Sequence, residues 1–235
     1  MERDDNLLTP EAICSLGVYY LRQGRLEEAE ELYKMGLDHC EKAATPHIFT
    51  VETLNNLGNL YLHSDRLGEA DEAYRLALEE SEKALQGHPL LFRTVNHLGV
   101  CLLRRGKLDE AETMFERALE GRVSAFGPKH LSTIETVHNL GELYLKRGKS
   151  ADAEKTLLRA LEGRERELGT DHILTLETVC NLSNLYRRQE KLDKAKNMLC
   201  RALKGFEQAF GPDHTSTLYA ANNLGLLYDE HHELV

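Results

Sequence analysis

The sequence predicts an all-α solenoid of antiparallel helix pairs, on three observations. A small residue recurs as Gly17, Gly58, Gly99, Gly141, Ser183 and Gly225, at intervals of 41, 41, 42, 42 and 42 residues. Twelve residues after each of the first five stands an alanine: Ala29, Ala70, Ala111, Ala153 and Ala195. Around these columns apolar residues keep helical spacing, with Leu57, Leu60 and Tyr61 on one face and Leu67, Ala70, Tyr74, Ala77 and Leu78 on another. Units repeating this regularly bury their apolar faces mainly against their neighbours.

Taken in order, the first helix is expected from about Leu7 to Gln23. Pro10 falls in its first turn, where backbone N–H groups have no partner inside the helix. Its partner runs from about Leu26 to Ala43, and Thr45-Pro46 then breaks the chain. Residues 7–43 form the first repeat; residues 48–86, 89–126, 131–168 and 173–210 form the next four, in a single domain over 1–235. A glycine inside a helix costs about 1 kcal/mol relative to alanine, so it needs a packing reason. The paired helices are therefore expected to press together at Gly58 and Ala70. An aromatic or leucine follows the alanine as Tyr33, Tyr74, Phe115, Leu157 and Leu199. Gly87, Gly127, Gly169 and Gly211 suit a left-handed helix end. The histidines that follow, His88, His130, His172 and His214, are expected to start the next helix. A partial repeat at 215–235 holds a complete first-helix motif, Asn223-Leu224-Gly225-Leu226-Leu227-Tyr228, and Leu234 matches the start of a second helix. The expected architecture is thus five full repeats plus one unpaired helix, an excerpt from or truncation of a longer array. Leu224, Leu227 and Tyr228 are expected to lack cover, and self-association through that helix follows.

Leu-Gly-x-x-Tyr followed by Ala-x-x-x-Phe/Tyr resembles the tetratricopeptide repeat (TPR). The 42-residue unit and the linkers Gly127-Pro128-Lys129-His130 and Gly211-Pro212-Asp213-His214 resemble those of kinesin light chains and of TPR arrays C-terminal to NB-ARC or NACHT domains. The resemblance covers essentially the whole chain. It implies a right-handed superhelix with the first helix of each pair inside, and binding of a partner in the concave groove. One departure is an aliphatic slot four residues before the glycine, where the family has a large aromatic: Ile13, Leu54, Val95, Val137, Val179, then Ala221.

Charged residues make 29% and hydrophobic ones 41%, as in ordinary soluble domains. A net charge of −10 argues against nucleic acid as partner, since that wants a basic face. No apolar run reaches membrane-spanning length, and the acidic start Met1-Glu2-Arg3-Asp4-Asp5 lacks a signal-peptide core. Cys14, Cys40, Cys101, Cys180 and Cys200 show no paired spacing, which reads as free thiols in the cytoplasm.

No catalytic motif emerges. The once-per-repeat histidines His47, His88, His130, His172 and His214 cannot converge on one ion, being displaced by a whole unit each time; with Thr50, Thr133, Thr175 and Thr217 they read as turn residues. Gly141…Gly148-Lys149-Ser150 has the wrong spacing for a phosphate loop and follows a helix. His231-His232-Glu233 lacks the spacing of a zinc-protease helix. No cofactor is expected, and an enzyme is the distant alternative.

Asparagine carries the functional reading, because it is a poor residue inside a helix. Asn56, Asn139, Asn181 and Asn223 stand two residues before the glycine column, Asn55, Asn96 and Asn222 three before it, and Asn59 and Asn184 one after. As one stripe their amides either clamp a peptide backbone or tie neighbouring helices. An acidic row including Glu52, Glu135 and Glu177 and a basic row including Arg104, Lys146 and Arg188 flank it. These rows serve the helix dipoles or form two rims of a groove. The expected function is a non-catalytic interaction scaffold for a protein or peptide, with an acidic segment lying along the asparagines beside Arg104, Lys146 and Arg188. The expected context is the recognition array of an NB-ARC/NACHT-type sensor, with a kinesin-light-chain-like cargo adaptor as alternative.

Overall fold

The structure, a computed structural model, describes residues 9–43 and 47–233. These residues form eleven helices and no strand: α1 (Pro10–Arg22), α2 (Leu26–Ala43), α3 (His47–His63), α4 (Leu67–Ala84), α5 (Pro89–Arg104), α6 (Leu108–Phe126), α7 (Leu131–Lys146), α8 (Ser150–Leu168), α9 (Ile173–Arg188), α10 (Leu192–Phe210) and α11 (Thr215–Glu233). The expected start at Leu7, the Thr45-Pro46 break and the Leu234 match lie outside the described residues. The chain gathers into two compact units, Met1–Ala125 and Phe126–Val235. The first holds the pairs α1/α2, α3/α4 and α5/α6; the second holds α7/α8, α9/α10 and α11. Short turns force the two helices of each pair to run antiparallel. No described helix is long and apolar enough to cross a membrane.

The glycine column marks the close contact inside each pair. A Cβ on Gly17, Gly58 or Gly99 would stand 2.5, 2.5 or 2.6 Å from the ring of Tyr33, Tyr74 or Phe115, and one on Gly141 2.6 Å from Leu157. The nearest neighbour of Gly58 is therefore Tyr74, one turn beyond the expected Ala70. Helical side chains lean toward their own N-terminus, so Tyr74 reaches back across α3. Ala70 is wholly buried one turn earlier. A second glycine column, absent from the sequence reading, makes the reverse contact: Gly121, Gly163 and Gly205 lie under Phe92, Ile134 and Leu176.

Helix starts follow the histidine reading. Nδ1 of His88, His130, His172 and His214 accepts from the backbone N–H of Leu90, Ser132, Leu174 and Ser216, each at 3.2 Å. The hydroxyls of Thr133, Thr175 and Thr217 donate back to the carbonyls of Gly127, Gly169 and Gly211 at 2.9, 2.9 and 2.8 Å, closing the turn. Two of those glycines are not the left-handed helical residues expected. Gly169 has φ 94 and ψ 167 and Gly211 φ 86 and ψ 173, a region essentially restricted to glycine. The true left-handed residue sits in the turn inside each pair, where Asp65 and Glu190 hold φ 57 at the register filled elsewhere by Gly24, Gly106 and Gly148.

The last helix needs a correction. Leu227 is buried and Leu224 packs on the core of the second unit, because both face α10. The exposed apolar residues of α11 are Leu218, Tyr219, Leu226 and Tyr228, 53%, 50%, 45% and 43% exposed, and nothing stands within 4 Å of a Cβ at Gly225. The α9 residues aligned with Leu218, Gly225 and Tyr228, namely Leu176, Ser183 and Tyr186, are all buried.

Candidate functional site

The asparagines divide into two faces. A helix turns about 100° per residue, so positions three before and one after the glycine share a face and the position two before does not. The first face is structural. Asn55, 1% exposed, donates through Nδ2 to the Val51 carbonyl at 2.9 Å and to Thr94 Oγ1 on the next first helix at 2.8 Å. The same column-to-threonine link recurs as Cys14 Sγ to Thr53 Oγ1 at 2.9 Å and His138 Nδ1 to Thr178 Oγ1 at 3.2 Å. Asn96 is wholly buried in this column. Asn59 accepts from the Tyr74 hydroxyl at 2.7 Å, and Asn184 donates to the Tyr219 hydroxyl at 3.1 Å. Asn55 and Asn96 are thus withdrawn from any groove, because packing between repeats seals their side chains. On the second face Asn56, Asn139 and Asn181 stay partly exposed. On α11, Asn222 is exposed and Asn223 partly buried.

The basic row belongs to helix ends. Arg104 donates to the Leu62 carbonyl at 2.8 Å, and Arg188 to the Leu145 carbonyl at 2.7 Å. Each guanidinium caps the C-terminus of the preceding first helix, where unpaired carbonyls gather negative charge. Lys146 reaches Glu142 at 3.7 Å. In the acidic row, Arg93 interrupts the carboxylates and pairs with Glu52 at 3.4 Å.

Two cavities, each of about 480 Å³, open on the first-helix face of the second unit. Both are lined by His138, Glu142 and Glu177; one adds Asn181 and Tyr219, the other Asn139, Glu135 and Arg164. Helix α7 supplies Glu135, His138, Asn139 and Glu142 at spacings of three and four, so they share one side. Helix α9 supplies Glu177 and Asn181, four apart. Arg164 of α8 rises beneath them, almost sealed, and donates to the Leu174 carbonyl and to Thr178 Oγ1, the latter at 2.9 Å. Sequence reading missed His138 and Arg164. The signal was there: His138 stands in the column of Asn55 and Asn96, and Arg122 and Arg164 recur 42 apart in a column held by Ser81 and Phe206 in flanking repeats.

Burial, with the Arg164 charge added, pushes the His138 imidazole down to about 3, so it is neutral at physiological pH. Burial lowers Arg164 as well, while Glu177 and Glu135 pull it back. Glu177 keeps 50% of its side-chain surface yet lies in a concavity walled by protein. That desolvation raises its carboxyl pKa against the pull of Arg164, 4.0 Å away. Among the described residues no three His, Cys, Asp or Glu side chains converge to hold a metal.

Stacked helix pairs presenting a polar trough on their first helices define a helical-repeat interaction scaffold. The chain belongs to the tetratricopeptide repeat family, whose model matches residues 6–83, 90–166 and 137–208. No curated protein matches by sequence. Solved structures share the fold. BtubC (BKLC) from P. vanneervenii superposes with a TM-score of 0.68 at 22% identity, over 88% of this chain and 81% of that one. A putative kinesin light chain from Podospora anserina with nearly identical TPR-like repeats gives 0.69 at 17%, over 87% and 99%. A Rap protein complexed with Competence and Sporulation Factor gives 0.65 at 15%, over 95% and 64%.

Proposed function

We propose that this chain is a non-catalytic interaction module that seats a peptide, or a segment of a partner protein, along the first-helix face of its second unit. The observation that carries the reading is the pair of adjoining cavities flanked by Asn139 and Asn181. An amide side chain offers donors and an acceptor to a peptide backbone, and cavities of this size accept side chains. The Rap protein, similar in fold and solved complexed with Competence and Sporulation Factor, supports a ligand-binding role for this architecture. The basic row no longer supports an acidic ligand, because Arg104 and Arg188 serve backbone carbonyls. The Gly-Pro-x-His linkers support the recognition array of an NB-ARC/NACHT-type sensor as context; the kinesin light chain among the fold neighbours favours a cargo adaptor as second reading. The exposed Leu218, Leu226 and Tyr228 of α11 support self-association, which light scattering over a concentration series reads directly.

The test is a pull-down read by mass spectrometry, with the wild type beside an Asn139→Ala/Asn181→Ala variant. The variant is expected to lose the partner while keeping the helical circular-dichroism spectrum of the wild type. Retention of the partner at full affinity overturns the assignment of this face.

A further inference from the structure

Resting on that reading, we propose that the trough between α7 and α9 selects a ligand carrying a cationic side chain, lysine or arginine, seated between Glu142 and Glu177 with His138 Nε2 as an additional acceptor. Three observations place it there. The charged side chains lining the two cavities are Glu135, Glu142 and Glu177 against a single cation, Arg164. That cation is committed below the floor, its guanidinium donating to Leu174 and Thr178. The trough therefore keeps an excess of negative charge, in a concavity where solvent screens poorly.

The third observation is His138 itself. It is 6% exposed, lines both cavities, and uses Nδ1 on Thr178. Nε2 meets no hydrogen-bond partner among the described residues. The tautomer follows from the threonine. Thr178 Oγ1 accepts from Arg164 at 2.9 Å and donates to the Leu174 carbonyl at 3.1 Å, as Thr94 donates to Leu90. Its one proton is thereby used, so His138 Nδ1 donates to it and Nε2 is a bare acceptor. Carboxylates and an unprotonated imidazole nitrogen form a set with acceptors in excess. Its complement is a group that brings only donors and a positive charge, as an ammonium or guanidinium does. Lys146, 3.7 Å from Glu142 and beyond hydrogen-bond length, is the partner such a cation displaces.

The experiment selects a phage-displayed library of random peptides on the full chain. Winners are then measured by calorimetry against the wild type, Glu142→Gln, Glu177→Gln and the double variant. The expected winners carry a lysine or arginine, and lysine-to-arginine exchange in the peptide shows which head group is preferred. Each glutamine variant should weaken them about tenfold, the worth of one charged hydrogen bond, with a shallower salt dependence. Winners that lack a basic residue, or that bind the glutamine variants equally well, overturn the cation site; if Asn139→Ala/Asn181→Ala still abolishes their binding, the groove reading survives alone. No enrichment above bare support overturns both.

Discussion

Gly58 and Gly225 occupy the same place in the repeat, and replacing each by alanine should move stability in opposite directions. At Gly58 the new Cβ would stand 2.5 Å from Cε1 of Tyr74 and 2.8 Å from two more ring carbons. Carbon pairs settle at about 3.5–4.0 Å, so the ring and α3 must part by about 1 Å. The ring cannot swing aside freely, because it is wholly buried and its hydroxyl is bonded to Asn59 at 2.7 Å. Overfilling of this kind costs about 1–3 kcal/mol, and the rigid ring places it toward the upper end. Alanine's helix propensity offsets about 1 kcal/mol, leaving a net loss of about 1–2 kcal/mol. For a chain of this size the melting temperature, followed by circular dichroism, should fall by about 2–8 °C. At Gly225 nothing lies within 4 Å, so only the propensity gain of about 0.5–1 kcal/mol remains. Amide hydrogen exchange within α11 should slow by about two- to fivefold. An unchanged melting temperature for Gly58→Ala, or faster exchange for Gly225→Ala, would refute the packing argument.

Four further outcomes are expected. His138 is neutral when folded but titrates near 6.5 when unfolded. Its stabilising contribution is therefore complete above about pH 6.5 and is lost progressively as pH falls toward about 3. His138→Asn, which puts the residue of Asn55 in the same column, should remove about 2 kcal/mol of the stability lost between pH 6.5 and 5, read from urea midpoints. Asn55→Ala should cost about 1–3 kcal/mol by breaking a sealed inter-helix bond, whereas Asn181→Ala should stay within about 0.5 kcal/mol, both by urea titration. Arg188→Ala should lower stability by about 1 kcal/mol or less and leave binding of any captured partner unchanged in calorimetry, because its guanidinium caps Leu145. Glu190→Gly should raise the melting temperature through a gain of about 1 kcal/mol, since a left-handed φ of 57 strains a residue with a Cβ.

Much of the fold was legible because the determining interactions are local or repeat at a fixed register. Helix identity, the pairing of neighbours, the histidine starts and the glycine contacts all depend on residues within one unit, and five copies of the pattern average out the noise of any one. The site was less legible. One stripe of asparagines concealed two faces, separated only by the 100° turn per residue and by which face meets the next repeat. Asn55 and Asn139 stand one register position apart, yet one ties helices and the other borders a cavity.

The sequence alone thus determined the period, the helix pairs, the family and the histidine helix starts. Only the tertiary structure decided where charge is free to act. Arg104 and Arg188 read as helix-dipole partners or as a groove rim until the preceding helix brought its carbonyls under them. Glu177 read only as one member of an acidic row, and Glu142 was not singled out, until α7 and α9 placed both around His138, above a sealed Arg164. The physical reason is that hydrogen-bond partners and desolvation come from neighbours some forty residues away in sequence. Periodicity names those neighbours but does not orient them.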